Sequence, residues 1–153
     1  MKTVNVALVL AIITAPHVAT SQTPSSPRER GIYLTIFRSP STGVELRSGH
    51  AAANLGFYPT VLRKNGERDN ANFIRLGGSF YAKDRGSSLY ISPSVVFSLD
   101  KEWKHGALTE LGFRGTLYRR LRGRLGVGVL TTTDGHIAVN PTVGMDLKLG
   151  RSR

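Results

Sequence analysis

The chain has no cysteine among its 153 residues. That absence excludes a disulfide framework, a thiolate metal centre and a lipid anchor on a processed N-terminal cysteine. Acid is also scarce, with 10 Asp and Glu against 21 Lys and Arg and a net charge of +11. Sustained 3.6-residue periodicity is missing. Beyond the first residues, no apolar run approaches the roughly 18 that a membrane-crossing helix needs, so a helical membrane protein is excluded.

What is present starts at the N-terminus. Lys2 precedes a nearly continuous apolar run from Val4 to Thr14, then Pro16, then Ala19 and Ser21 at the spacing of a cleavage site. Residues 1–21 read as a secretory signal peptide, since the apolar run is about half the length of a spanning helix. Its removal takes one lysine and no acid, so +11 becomes +10. Residues 22–30, rich in Pro and Ser and then charged, read as a flexible leader. Residues 31–150 form the single folded domain that this length allows, followed by a basic tail at 151–153. In an exported chain such basicity points to anionic lipid or acidic polymer rather than nucleic acid.

The folded region alternates with period 2 in eight runs, near 31–37, 43–48, 51–62, 72–83, 88–99, 106–119, 123–133 and 136–149. Successive strand side chains point to opposite faces. In the last run Ile137, Val139, Pro141, Val143, Met145, Leu147 and Leu149 oppose His136, Ala138, Asn140, Thr142, Gly144, Asp146 and Lys148. Leu89, Ile91, Pro93, Val95, Phe97 and Leu99 likewise oppose Tyr90, Ser92, Ser94, Val96 and Ser98. Turn residues separate the runs, among them Ser48-Gly49-His50, Lys64-Asn65-Gly66 and Asp134-Gly135. An even number of antiparallel strands joined by hairpins closes naturally into an up-and-down barrel, so the expected fold is all-β and eight-stranded.

Alternation alone leaves open which face is inside. The polar face is mostly Gly, Ser, Thr, Tyr and Asn, with Glu45, Arg47, Arg75, Glu110, Arg114, Arg124, Asp146 and Lys148 as its charges. Small residues and mixed charges suit the cramped interior of eight strands, where they would form an interlocking network rather than a conducting lumen. The apolar face then suits lipid, giving a transmembrane barrel. If the faces are reversed, Ile91, Val95 and Phe97 line the cavity of a soluble periplasmic, lipocalin-like barrel that binds a small apolar ligand. By parity Tyr81, Tyr90 and Tyr118 point inward, whereas an interfacial aromatic belt would place them outward, and Trp103 in the third outer loop fits the opposite interface. Pro59, Pro93 and Pro141 fall inside strands within a repeated Pro-[Ser/Thr]-Val pattern. Lacking an N–H, each belongs at a bulge, a strand end or an unpaired rim.

With these alternations the chain resembles the small eight-stranded outer-membrane β-barrels of Gram-negative bacteria, the class of the OmpA transmembrane domain and OmpX. The resemblance is architectural over residues 31–149. Its most specific part is the C-terminal assembly signal, which Thr142, Gly144, Leu147 and Leu149 match position by position; the class usually ends in an aromatic residue, where this chain has Leu149 and four further residues. The resemblance implies termini in the periplasm, outer connections near 38–42, 63–71, 100–105 and 133–136, and periplasmic turns near 48–50, 84–87 and 119–123. It implies outer-membrane lipids (lipopolysaccharide and anionic phospholipid) and the assembly machinery as partners of a monomer.

Candidate chemistry is thin. Some barrels of this class modify lipid A with a His–Ser pair. Here His50, His105 and His136 fall in turns, and only Ser48 lies near a histidine in sequence. No histidine pair has ligand spacing, so no metal and no cofactor is expected. The glycines of Gly126-Val127-Gly128 precede no helix and make no phosphate loop. Arg28, Arg30, Lys83, Arg85, Arg119, Arg120, Arg122, Arg151 and Arg153 are expected to gather at the periplasmic end, and Arg63, Lys64, Lys101 and Lys104 at the other. The resulting expectation is a non-catalytic, structural outer-membrane barrel with a filled lumen, a lipid A-modifying enzyme ranking third.

Overall fold

The computed structural model describes residues 28–39, 41–64 and 67–149. The signal peptide at 1–21, residues 22–27 of the leader and the tail at 151–153 lie outside the described residues. Eight strands follow one another: β1 (Arg30–Ser39), β2 (Thr42–Ser48), β3 (Ala51–Lys64), β4 (Glu67–Tyr81), β5 (Ser88–Ser98), β6 (Gly106–Tyr118), β7 (Leu121–Thr132) and β8 (Ile137–Leu149). Each pairs antiparallel with its chain neighbour, and β1 also pairs with β8 through Ile32↔Leu149 and Leu34↔Leu147. The ladder therefore closes on itself as a hydrogen-bonded ring. One end holds Arg30, Leu149 and the turns at 49–50, 82–87 and 119–120; it is called the terminal end, and the opposite one the far end.

Most strands form where period-2 patterning places them, and the larger departures have physical causes. The connection expected at 63–71 is nearly all strand, because β3 and β4 pair out to Lys64↔Glu67. Polar Glu67–Asn72 has the composition of a loop, but backbone pairing to β3 satisfies it as a hairpin. Beyond Phe57↔Thr42 and Phe73↔Ser98, β2 and β5 no longer accompany this hairpin, so the far rim is uneven.

Tyr118 does not point inward. The β6–β7 register shifts between Thr116 and Tyr118, which reverses parity, and Tyr118 is 64% exposed. Arg119 follows at a φ of 37°.

Each mid-strand proline sits where one ladder is missing. Pro59 lies just past the last pairing of β3 with β2, and Pro141 just past the last pairing of β8 with β1. Pro93 faces a gap in the β4–β5 ladder between Gly77↔Ser94 and Phe80↔Ile91. There the Gly78 carbonyl, which proline has no N–H to serve, accepts the Ser92 hydroxyl at 2.9 Å.

Candidate functional site

The ring is apolar outside and, over its terminal half, polar inside, and there both surfaces follow from the two parities of each strand. Seven of the eight charges expected inside are buried there: Glu45, Arg47, Arg75, Glu110, Arg114, Arg124 and Asp146. Lys148 is half-buried, with its ammonium 6.0 Å from the Tyr33 ring centre. On those residues alone cations would outnumber carboxylates. The balance comes from Glu29, which belongs by its loop composition to the 22–30 leader, as does Arg30. Arg30 opens β1, and Glu29 is 7% exposed, so both belong to the ring. Four buried guanidiniums then face four buried carboxylates.

The network is layered along the axis. Nearest the terminal end, Arg122 bridges Glu29 at 2.6 Å, Arg47 lies 3.4 Å from the same carboxylate, and the Tyr33 hydroxyl donates to it. In the next layer Glu45 accepts from Arg114 at 2.8 Å, from Tyr81 at 2.8 Å and from Arg124. Asp146 takes Arg124, Arg114 at 3.3 Å and the Thr35 hydroxyl at 2.9 Å. Deeper still, Arg75 donates to Glu110 at 3.0 Å and to Ser92 and Ser94 at 2.6 and 2.9 Å, while Glu110 also accepts from Tyr90 and Thr142. Arginine faces rest on tyrosine rings, Arg47 on Tyr81 at 3.8 Å and Arg114 on Tyr33 at 4.2 Å. Buried charges are tolerable only when paired and hydrogen-bonded in this way.

Toward the far end the interior turns apolar. Tyr58, Leu62, Ala71, Phe73, Val96, Leu108 and Leu130 form one buried cluster with Trp103. Trp103 is therefore not an outward-facing interface residue; it is 3% exposed, edge-on to His136 at 5.2 Å. The missed signal was the breakdown of alternation at Val95-Val96, Ala107-Leu108 and Val129-Leu130, where both parities are apolar. Register sets Ser94 opposite Leu108 and Leu108 opposite Leu130, so these breaks lie at one level. In the polar half a cavity of about 20 Å³ bordered by Glu45, Asn54, Arg75 and Arg124 holds little more than one water.

Outside, 26 large apolar side chains are exposed among the described residues. Ile91, Val95 and Phe97 are among them at 46–47% exposure, so they do not line an interior ligand cavity as the alternative orientation of the faces requires. No charged side chain is exposed between Ile32 and Ile36, Ala51 and Val61, Ile74 and Phe80, Leu89 and Leu99, Ala107 and Leu117, or Ile137 and Leu149. The assembly-signal residues divide between the faces, with Thr142 and Gly144 buried, Leu147 half-buried and Leu149 exposed.

Charge returns at both ends. Arg28, Arg30, Lys83, Arg85, Arg119 and Arg120 are exposed at the terminal end, with Arg122 half-buried. At the far end the expected Arg63, Lys101 and Lys104 stand with Arg68 among Glu67, Asp69, Asp100, Glu102 and Asp134, so both signs are present there; the side chain of Lys64 lies outside the described ones. In its 133–136 turn the Thr132 hydroxyl bonds the Asp134 carboxylate and holds its pKa below the usual range.

The histidines are separate from one another. His50 Nδ1 meets the Tyr81 carbonyl at 2.9 Å, His105 Nδ1 accepts the Ser98 amide at 3.0 Å, and His136 Nδ1 lies 3.2 Å from Asp134. Among the described residues no group of three His, Asp or Glu is placed to hold a metal ion. Comparison of the chain with protein-family models, with curated proteins and with solved structures finds no match.

Proposed function

We propose that the protein is an integral β-barrel of the bacterial outer membrane with a structural role in the envelope, a filled lumen and no catalysis. The observation that carries this reading is the charge-free apolar belt around the outside of a ring whose charges face inward. In water such a belt would be far larger than the few hundred Å² of apolar patch that soluble monomers expose. Its height fits lipid: Leu89 to Leu99 spans about 34 Å along the strand, and a tilt of about 40° reduces this to about 26 Å, close to the roughly 25 Å band of membrane barrels. A closed ring is also the one strand arrangement that satisfies every backbone group within hydrocarbon. Among the described residues no helix is long and apolar enough to cross a membrane.

The filled interior supports the structural role. Buried ion pairs occupy one half of it and an apolar cluster the other, leaving little room for a solute. Outer-membrane lipids, including lipopolysaccharide, are the proposed surroundings of the belt. The assembly machinery would read the last strand through Thr142, Gly144, Leu147 and Leu149.

Cell fractionation tests the proposal. The protein should sediment with outer membranes and run on detergent gels as a compact species whose mobility changes on boiling. Full solubility of the folded chain without detergent would refute it.

A further inference from the structure

The two ends of the ring differ in charge. Around the terminal end, Arg28, Arg30, Lys83, Arg85, Arg119 and Arg120 are exposed, while Glu29 is buried and Asp84 half-buried. The far end mixes both signs. The cations are also spread around the circumference: Arg28 and Arg30 stand at the start of β1, Lys83 and Arg85 in the β4–β5 turn, and Arg119 and Arg120 in the β6–β7 turn.

Each group borders the apolar belt, next to Ile32, Leu89 and Leu117 respectively. At the last of these the Arg119 guanidinium lies 5.2 Å from the centre of the exposed Tyr118 ring. A protein partner would approach one side of such a ring. A sheet of phosphate head groups meets the whole circumference at the depth where the belt ends.

We propose that this collar binds the head groups of anionic phospholipid in the leaflet surrounding the terminal end. The inference rests on the membrane reading, and the experiment separates the two. The folded full-length protein is reconstituted in nanodiscs of pure phosphatidylcholine, and separately of phosphatidylcholine mixed equally with phosphatidylglycerol. Lipid that co-purifies after mild detergent extraction is then counted by mass spectrometry.

The protein should embed in both and retain phosphatidylglycerol in preference from the mixture. Attraction to a charged surface is worth roughly fivefold for each basic residue. The combined variant Lys83→Gln, Arg85→Gln, Arg120→Gln should therefore lower the preference by about tenfold or more. Lys101→Gln with Lys104→Gln at the far end should leave it unchanged.

Equal retention of the two lipids by the unaltered protein, or an equal loss in the far-end variant, would overturn the collar. So would displacement of phosphatidylglycerol by soluble polyglutamate, which would mark an acidic polymer as the partner. Failure to embed in pure phosphatidylcholine would instead refute the membrane reading itself.

Discussion

Arg114 on β6 and Glu45 on β2 meet at 2.8 Å although they stand 69 positions apart. In a ring of eight strands these two are diametrically opposite, so the pair crosses the interior and joins walls that share no ladder. Arg124 on β7 reaches the same carboxylate, and the Tyr81 hydroxyl on β4 donates to it at 2.8 Å. Backbone pairing holds each strand to its neighbours; this carboxylate holds four walls to one another.

Glu45→Gln should therefore be costly. The amide keeps the volume but leaves Arg114 and Arg124 facing a neutral group in a buried site. Breaking a buried pair from one side costs about 3–5 kcal/mol. Equilibrium unfolding by urea in detergent or lipid measures it. A loss under about 1 kcal/mol would mean that the network fills space without bracing the ring.

The ring was legible because a strand shows its two faces at a fixed period, and most runs keep that period where one face is apolar and the other is small or polar. Legibility failed where a different physical rule overrode parity. Val96, Leu108 and Leu130 are inward yet apolar, since the far half of the interior is filled by packing rather than by charge. Tyr118 is outward because a register shift resets parity. Glu29 lies in a stretch with loop composition, and only its partners on other strands, Arg47 on β2 and Arg122 on β7, reveal its role. Those contacts join residues far apart in sequence, and local pattern carries no trace of them.

Trp103 gives an optical test of the apolar half, since it is the chain's one tryptophan. Buried in one cluster with Leu62, Phe73 and Leu130, it should emit at blue-shifted wavelength in the folded protein. Neither iodide in the water nor brominated acyl chains in the lipid should quench it strongly. Strong quenching by brominated lipid would return Trp103 to the membrane interface, contrary to its 3% exposure.

Gly112 is needed for space. It faces inward opposite Tyr90, and a Cβ there would lie 2.6 Å from the Leu125 carbonyl and 2.8 Å from the Tyr90 hydroxyl. Gly112→Ala should push Tyr90 away from Glu110 and cost about 1–3 kcal/mol, the usual range for overpacking. Gly78→Ala is the matched control, because its Cβ would approach nothing closer than 3.5 Å. Unfolding midpoints of the two variants should separate clearly, and coincident midpoints would show that Tyr90 moves without cost.

Arginine substitutions on the outer face probe the belt by depth. Val95 lies near the middle of the charge-free span of β5, whereas Val61 lies near the far rim, two residues before exposed Arg63. Both are about half exposed, at 47% and 50%, so in water an arginine at either would be nearly neutral. In a bilayer the cost depends on depth, about 2–4 kcal/mol at the midplane and about 0–1 kcal/mol at the interface. Val95→Arg should thus reduce folding stability in phosphatidylcholine vesicles by several times more than Val61→Arg, and the difference should shrink in loose detergent micelles. Equal, small effects in vesicles would mean that no hydrocarbon surrounds β5, and the belt would need another cover.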